Sequence, residues 1–338
     1  MPPPPQPPTT YSWRLLRAGR FKLDGGSMFG LVPRAVWSRA VTPDDRGRIA
    51  VQHNCLLLER AGPEPAAPAA GQPPPHSPKL VLIETGTGDK LDPKSRDIFE
   101  LEDRSILTAL HEADCKPQDI GAAIVTHLHF DHAGGLTRLA RPGEKPDWVG
   151  PSCAGTPHGV KLTFPSATIH TQEREWADAL ANRSVMTRTY FRDHLEPLAG
   201  QIRKVDSPRP FPTGYTPDRD ELPLLSLEQR ETEVLPGISV FLAPGHTWGQ
   251  QAVKFTDTRG RTVVFVPDVM PTVAHLGAAY SLGYDVEPYT SMVTRRWFLD
   301  AAAAGDWLLA LDHEPGHPLQ RARRNDKGWY DLVRAEDA

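Results

Sequence analysis

One segment constrains this chain more than any other. An apolar run at residues 122–126 leads directly into three histidines and an aspartate within six residues, in the order H-L-H-F-D-H. Side chains alternate along an extended strand, so His127 and His129 are expected to project to the same side. A helical turn after them would bring Asp131 and His132 together at its N-terminus. The segment can therefore offer two imidazoles to one metal ion, and a carboxylate and an imidazole to a second.

Three further metal-capable residues follow apolar, strand-like runs. His246 comes after the run at 238–242, Asp268 after the run at 262–266, and His313 after the run at 307–311. Proteins built from alternating strands and helices place their binding sites at the carboxyl ends of strands. Each residue alone would more often be an ordinary polar group. Together with the first segment, they form a coherent set of ligands.

Strand-like and helix-like segments alternate along the chain, which predicts a layered α/β protein. The strand-like runs cover residues 79–83, 122–126, 166–170, 238–242, 262–266 and 307–311. The helix-like segments cover residues 97–114, 133–140, 172–182 and 289–304. Two stretches rich in Pro, Gly and Asp, 141–161 and 204–235, are expected to be long surface loops.

Proline accounts for 35 of the 338 residues, about twice its average usage. Much of it lies in two segments. Residues 1–10 are predicted to be a disordered, Pro-rich tail, and residues 61–78 a Pro/Ala-rich loop insertion between two strands. Because no linker clearly divides the remainder, we predict a single domain over residues 11–338.

Composition excludes several classes of protein. The 38 Lys and Arg against 42 Asp and Glu give a net charge of −4, which argues against a nucleic-acid-binding surface. Three scattered cysteines are too few for a disulfide framework or a thiolate zinc site. The sequence has neither a membrane-spanning apolar stretch nor the features of a signal peptide. We therefore expect a cytoplasmic monomer or homodimer that binds a small-molecule substrate, with no nucleic-acid or membrane partner.

The order of these motifs resembles the metallo-β-lactamase superfamily. The H-x-H-x-D-H segment is followed by Gly-Gly at 134–135, Pro-Gly-His-Thr at 244–247, and then a strand-terminal Asp and a strand-terminal His. The resemblance runs from about residue 11 to about residue 318. Segments 23–33 (LDGGSMFGLVP), 164–167 (FPSA) and 271–276 (PTVAHL) are similar to a group of bacterial hydrolases that includes quorum-quenching N-acyl-homoserine lactonases. An αββα sandwich with metal ions at one sheet edge is implied.

The same resemblance implies a dinuclear metal centre. Two divalent ions are expected, most simply Zn²⁺, although His and carboxylate ligands also accept Mn, Fe or Co. One ion would be held by His127, His129 and His246, and the other by Asp131, His132 and His313, with Asp268 bridging the two. Hydrolysis of a lactone or ester, such as an N-acyl-homoserine lactone, would proceed by attack of a metal-bridging hydroxide. Asp131 and Asp268 are the expected catalytic residues, since Asp131 could pass a proton to the leaving oxygen.

The chain departs from the family pattern at two positions. Glu84 stands where many members carry an aspartate that supports the ligand histidines, so that support is expected to be repositioned or lost. Pro271 stands three residues after Asp268, where the compact lactonases carry a tyrosine that contacts the substrate carbonyl. His275 and Tyr280 are candidates to replace that tyrosine.

Phe29 is a further candidate substrate contact, as part of an acyl-chain pocket. The same dinuclear centre would also serve a phosphotriesterase, an arylesterase or a thioesterase. Outside catalysis, the alternative is a metal-bound binding protein.

Overall fold

The computed structural model describes residues 8–62, 77–151, 157–183, 188–212, 215, 217–218 and 221–335. Most of the predicted tail and of the predicted insertion lies outside the described residues. The residues that flank the tail and the insertion are described. The first strand begins at Thr10, and Arg60 N donates to Lys79 O at 2.9 Å, so the two ends of the insertion are paired.

Three β-sheets organise the chain. The first has the order β1-β2-β3-β4-β8-β9, formed by Thr10–Asp24, Arg48–Ala61, Leu80–Ile83, Ile120–Ile124, Thr168–Gln172 and Ile202–Val205. A small sheet has the order β5-β7-β6, formed by Thr137–Leu139, Pro157–Leu162 and Trp148–Pro151. The third runs in sequence order from β10 to β16, formed by Thr232–Leu235, Ile238–Leu242, Gln251–Thr256, Thr262–Val266, Leu308–Leu311, Leu319–Arg324 and Tyr330–Arg334.

Nine α-helices accompany these strands in the described part of the chain. In chain order, α1 to α9 are Gly25–Phe29, Arg34–Trp37, Pro93–Phe99, Ile106–Glu112, Phe130–Ala133, Glu173–Leu180, Arg192–Leu195, Leu227–Arg230 and Pro288–Ala304. Short 3₁₀ turns lie at Pro117–Asp119, Gly134–Leu136, Glu196–Leu198 and Val273–His275. Across the described ranges, no helix combines the length and the apolar character needed to cross a bilayer.

The two large sheets pack face to face, and helices cover their outer faces. Leu56 on β2 and Val263 on β13 belong to the buried cluster between the sheets. Leu57 points the other way and joins the cluster that contains α4. On the far side, Val264 packs in the cluster that contains Phe298 of α9. Strands buried on both faces explain the continuous apolar runs in the sequence, and the predicted αββα sandwich is confirmed.

The predictions of individual strands, helices and loops were correct for some segments and wrong for others. The strand-like runs and the helices at 172–182 and 289–304 correspond to observed elements within a few residues. The helix over 133–140 was wrong, because a 3₁₀ turn and the strand β5 occupy that stretch. The helix over 97–114 is two helices, α3 and α4. The supposed loops 141–161 and 204–235 contain short strands as well.

Candidate metal centre

The histidine-rich segment begins shortly after β4 and runs into α5. His129 is extended at the helix N-cap, with φ −60° and ψ 157°, and α5 starts at Phe130. His127 Nε2 consequently lies 3.1 Å from His129 Nδ1. His132 sits one turn later, and its ring centroid is 3.9 Å from that of His127. The strand end and the helical turn therefore gather the segment at one point, as the alternation of its side chains predicts.

A first group of ligand atoms forms where the turn after β11 meets this segment. His246 Nε2 lies 3.0 Å from His129 Nδ1. His127, His129 and His246 are all buried, and one nitrogen of each lies within 4.8 Å of the others. Burial, followed by the neighbouring imidazoles, holds the pKa of His127 and of His129 well below the usual value. Burial thus disfavours the charged form of these two rings, and the neutral form is the one that binds a metal.

A second group lies beside the first. His132 Nε2 and His313 Nε2 are 3.2 Å apart, and Asp131 Oδ2 lies 3.6 Å from His313 Nε2. Asp268 contacts both groups. Its Oδ2 is 3.2 Å from His246 Nε2, and its Oδ1 is 3.4 Å from His313 Nε2. The structure therefore brings together all seven residues expected from the sequence.

These separations suit metal ions. Around a tetrahedral ion with metal–nitrogen bonds of about 2.0–2.1 Å, neighbouring ligand nitrogens stand about 3.3 Å apart. The observed nitrogen pairs are separated by 3.0–3.2 Å. Several imidazole nitrogens facing one another cannot all be satisfied by donating to each other, whereas a shared cation satisfies them together. The chain thus presents His/Asp groups able to hold divalent metal ions.

Asp312 is a carboxylate beside the second group that the sequence reasoning missed. One of its carboxylate oxygens lies within 4.8 Å of ligand atoms of His132, Asp268 and His313. Burial and the adjacent Asp268 raise the pKa of Asp312 well above its usual value. Its position directly before His313, at the end of an apolar strand, was the available signal.

The ring nitrogen away from each group has a partner in four of the five histidines. The contacts are His127 Nδ1 to Thr126 Oγ1 at 3.1 Å, His132 Nδ1 to Glu84 Oε2 at 3.3 Å, His246 Nδ1 to Asp285 Oδ1 at 2.9 Å, and His313 Nδ1 to Gln52 O at 3.0 Å. Such partners fix the ring orientation and raise ligand basicity. Glu84 also accepts from Thr126 N at 2.6 Å. Its longer side chain therefore still reaches the site.

A cavity of about 540 Å³ opens above the two groups, within the range typical of small-molecule sites. His129, Asp131, Asp268 and His313 are among the residues that line it. Most of the remaining wall is apolar and includes Met28, Phe99, Phe130 and Phe191. The cavity therefore joins metal-capable side chains to a surface suited to an apolar ligand.

The structure places Phe29, His275 and Tyr280, the three substrate contacts expected from the sequence, outside the wall of this cavity. Phe29 is fully buried and stacks on His275, with ring centroids 4.7 Å apart and planes 4° apart. Tyr280 packs edge-on against Phe29 at 5.7 Å. His275 is held by Met28 O at 2.8 Å. The three form a stack behind Met28, which itself lines the cavity.

Tyr284 is an aromatic residue that does line the cavity. Its hydroxyl is buried. Burial first, and then the charges of Asp131 and Asp268, raise the pKa of Tyr284. The hydroxyl therefore stays protonated and can donate. This tyrosine lies in an irregular loop, one residue before Asp285. No sequence motif indicated it as a substrate contact.

Fold and site together agree with one protein family. Residues 78–313 match the sequence model of the metallo-beta-lactamase superfamily, and the chain belongs to that superfamily. Among curated proteins, no relative matches.

Solved structures extend the likeness to nearly the whole chain. A probable metal-dependent hydrolase from Staphylococcus aureus is 20% identical with a TM-score of 0.71, covering 98% of this chain and 100% of that one. The hydrolase AbOPH of the beta lactamase superfamily is 15% identical with a TM-score of 0.65, covering 99% of each chain. AidC, a dizinc quorum-quenching lactonase in complex with a product, is 16% identical with a TM-score of 0.63, covering 98% and 99%. At these identities the likeness establishes a shared fold.

Proposed function

We propose that this protein is a dinuclear metal-dependent hydrolase that opens a lactone or a related ester, with an N-acyl-homoserine lactone as the model substrate. The superfamily assignment supports hydrolase activity. The observation that carries the proposal is Asp268, whose two oxygens lie 3.2 Å from His246 and 3.4 Å from His313 at the floor of an apolar cavity.

Under this proposal, each group of side chains would hold one divalent ion. The first comprises His127, His129 and His246, the second comprises Asp131, His132 and His313, and Asp268 is shared between them. Zn²⁺ suits the imidazole and carboxylate ligands, and Mn, Fe or Co would also be accepted. When bound, such ions activate a water near neutral pH and polarise a carbonyl oxygen.

The chain itself supplies orientation and proton handling. The carboxylate of Asp131 lines the cavity, so it can hold a proton for the alkoxide that leaves when the ring opens. We assign Tyr284, which lines the same wall, the role of donor to the substrate carbonyl oxygen, because Pro271 has no side-chain donor to offer. Phe130 and Phe191 give the acyl chain an apolar surface and exclude water from it.

The test combines metal content with a substrate panel on one preparation. Elemental analysis counts metals per chain. Hydrolysis is then followed for acyl-homoserine lactones, simple aryl esters, a thioester, a phosphotriester and a β-lactam. We expect about two metals per chain and the highest kcat/KM on a lactone.

The outcomes separate the alternatives. Two metals with a preference for the phosphotriester, aryl ester or thioester would keep the centre and replace the substrate. Two metals without turnover would favour a metal-bound binding protein. A chain that binds less than one metal after reconstitution would contradict the ligand assignment itself.

A further inference from the structure

Glu175, on α6, is a buried carboxylate on which three donors converge. Its Oε1 accepts from Leu128 N at 3.0 Å and from the Tyr190 hydroxyl at 3.1 Å, and its Oε2 accepts from the Thr247 hydroxyl at 2.6 Å. The side chain has no exposed surface. Burying a carboxylate is costly unless its oxygens are satisfied. A purely packing role would be served better by leucine.

Two of the three donors are chain neighbours of the first histidine group. Leu128 stands between His127 and His129, and Thr247 directly follows His246. The carboxylate therefore joins the segment that leaves β4 of one sheet to the turn that leaves β11 of the other. Contact is tight, since a Cβ at Gly249 would lie 2.4 Å from Glu175 N.

His129 has particular need of such support. Its Nδ1 faces the other two histidines of the group, while its Nε2 is buried without a hydrogen-bond partner among the described residues. The orientation of this ring therefore depends on its backbone and on packing. The Tyr190 ring packs against it with centroids 5.0 Å apart. Both the neighbouring amide and this tyrosine are held by Glu175.

We propose that Glu175 is a positioning residue that sets the geometry of the first histidine group by joining the two chain segments that carry it. The inference rests on the proposed function, which assigns a metal ion to that group. Glu175 touches neither the substrate cavity nor a ligand nitrogen, and acts on metal affinity through Leu128, Tyr190 and Thr247.

The experiment measures metal affinity rather than turnover alone. Zn²⁺ affinities are determined by chelator competition, and Co²⁺-loaded protein is examined by visible spectroscopy. A His313→Ala background leaves only the first group complete, and a His246→Ala background leaves only the second. In each background, Glu175→Leu and Thr247→Val are compared with Asp178→Asn, a buried carboxylate on the same helix that pairs with Arg174 at 2.5 Å.

We expect Glu175→Leu to weaken the first site by about 10–100-fold, the range found when support of a metal ligand is lost. Thr247→Val, which removes one of the three bonds, should weaken it by about 2–10-fold. The second site and the Asp178→Asn protein should bind as the unmodified chain does. Glu175→Gln, whose amide oxygen can still accept from Leu128 N, should recover most of the affinity and the Co²⁺ spectrum.

Two results would overturn the inference. Unchanged first-site affinity in both Glu175→Leu and Thr247→Val would remove its basis. Equal weakening of both sites, together with lower stability of the metal-free protein, would indicate general structural support instead. If Glu175→Leu does not fold, Thr247→Val decides alone. An unmodified chain that binds no metal would refute the proposed function, which is a separate outcome because no variant enters into it.

Discussion

A single added methyl group at Gly135 should damage both the stability and the site of this protein. A Cβ there would lie 2.2 Å from Thr85 O, whereas carbon and oxygen in such contacts stand about 3.3 Å or more apart. Backbone on both sides must separate by roughly 1 Å. Two hydrogen bonds cross this contact, Gly135 N to Gly86 O at 2.8 Å and Thr85 Oγ1 to His132 O at 2.6 Å.

The size of the effect follows from these contacts. Overpacking costs about 1–3 kcal/mol, and each strained hydrogen bond adds about 0.5–1.5 kcal/mol. Gly135→Ala should therefore lose about 2–6 kcal/mol of unfolding free energy. At roughly 2 °C per kcal/mol for a chain of this size, Tm falls by about 4–12 °C. Displacing Asp131 and His132 by about 1 Å should also reduce kcat/KM by about 100-fold.

Urea unfolding of the chelator-treated protein measures the first effect, and ester hydrolysis measures the second. Gly200→Ala is the matched control, because a Cβ at Gly200 meets nothing within 4 Å and its φ is not positive. If Gly135→Ala unfolds within about 0.5 kcal/mol of Gly200→Ala, the close approach does not matter and the reasoning fails.

Further predictions address the cavity, the bridge, the insertion and the metals. Tyr284→Phe should lower kcat/KM by about 10–100-fold with unchanged metal content, since it removes one hydrogen bond to a developing charge; Tyr280→Phe is the control, and equal effects would contradict the assignment. Asp268→Ala should abolish turnover while circular dichroism stays native, and a variant that keeps most of its activity would exclude the bridging role. Replacing residues 61–78 by an Asn-Gly turn should leave kcat/KM within about 2-fold, because the flanking strands already pair; a folded but inactive protein would place the insertion in the site. Dialysis against a chelator should remove activity and lower Tm, and added Zn²⁺ or Mn²⁺ should restore both. Full activity after dialysis would show that hydrolysis does not depend on metal ions.

The sequence predicted the layers of the fold and the approach of the metal-capable residues because both follow from strong local patterns. Apolar strands that end in His or Asp are visible one at a time, and the carboxyl ends of neighbouring strands meet. The stretch at 133–140 escaped prediction for the opposite reason. Its backbone is set by the close approach of Gly135 to Thr85 and by pairing of β5 with β7, and both contacts are distant in sequence.

The break between α3 and α4 was also hidden. Glu100 ends α3 in the left-handed region, with φ 44°, where Gly or Asn is usual. No glycine or proline marks the position. Glu100 N donates to Asp97 O at 3.1 Å, and the Glu100 carboxylate pairs with Lys22 at 2.8 Å and with Arg48 at 2.6 Å.

The substrate contacts were the hardest part to predict. Aromatic residues near a glycine-rich turn favour a pocket and a buried core equally. Phe29 and His275 stack in the core, whereas Tyr284 reaches the cavity from a loop without a sequence pattern. Which aromatic residue meets the ligand depends on how α1 packs against that loop, and one sequence does not reveal this.

The candidate metal centre also lies at the boundary between the two large sheets, here called the seam. The H-x-H-x-D-H segment extends from the first sheet, whereas His246, Asp268 and His313 extend from strands of the other sheet. An ion bound at this seam would act as a cross-link between the two halves of the chain. Loading should therefore raise the cooperativity of unfolding and protect the loops at the seam from proteolysis. For the same reason, neither half expressed alone would contain a complete site, and activity would require the two halves to reassemble.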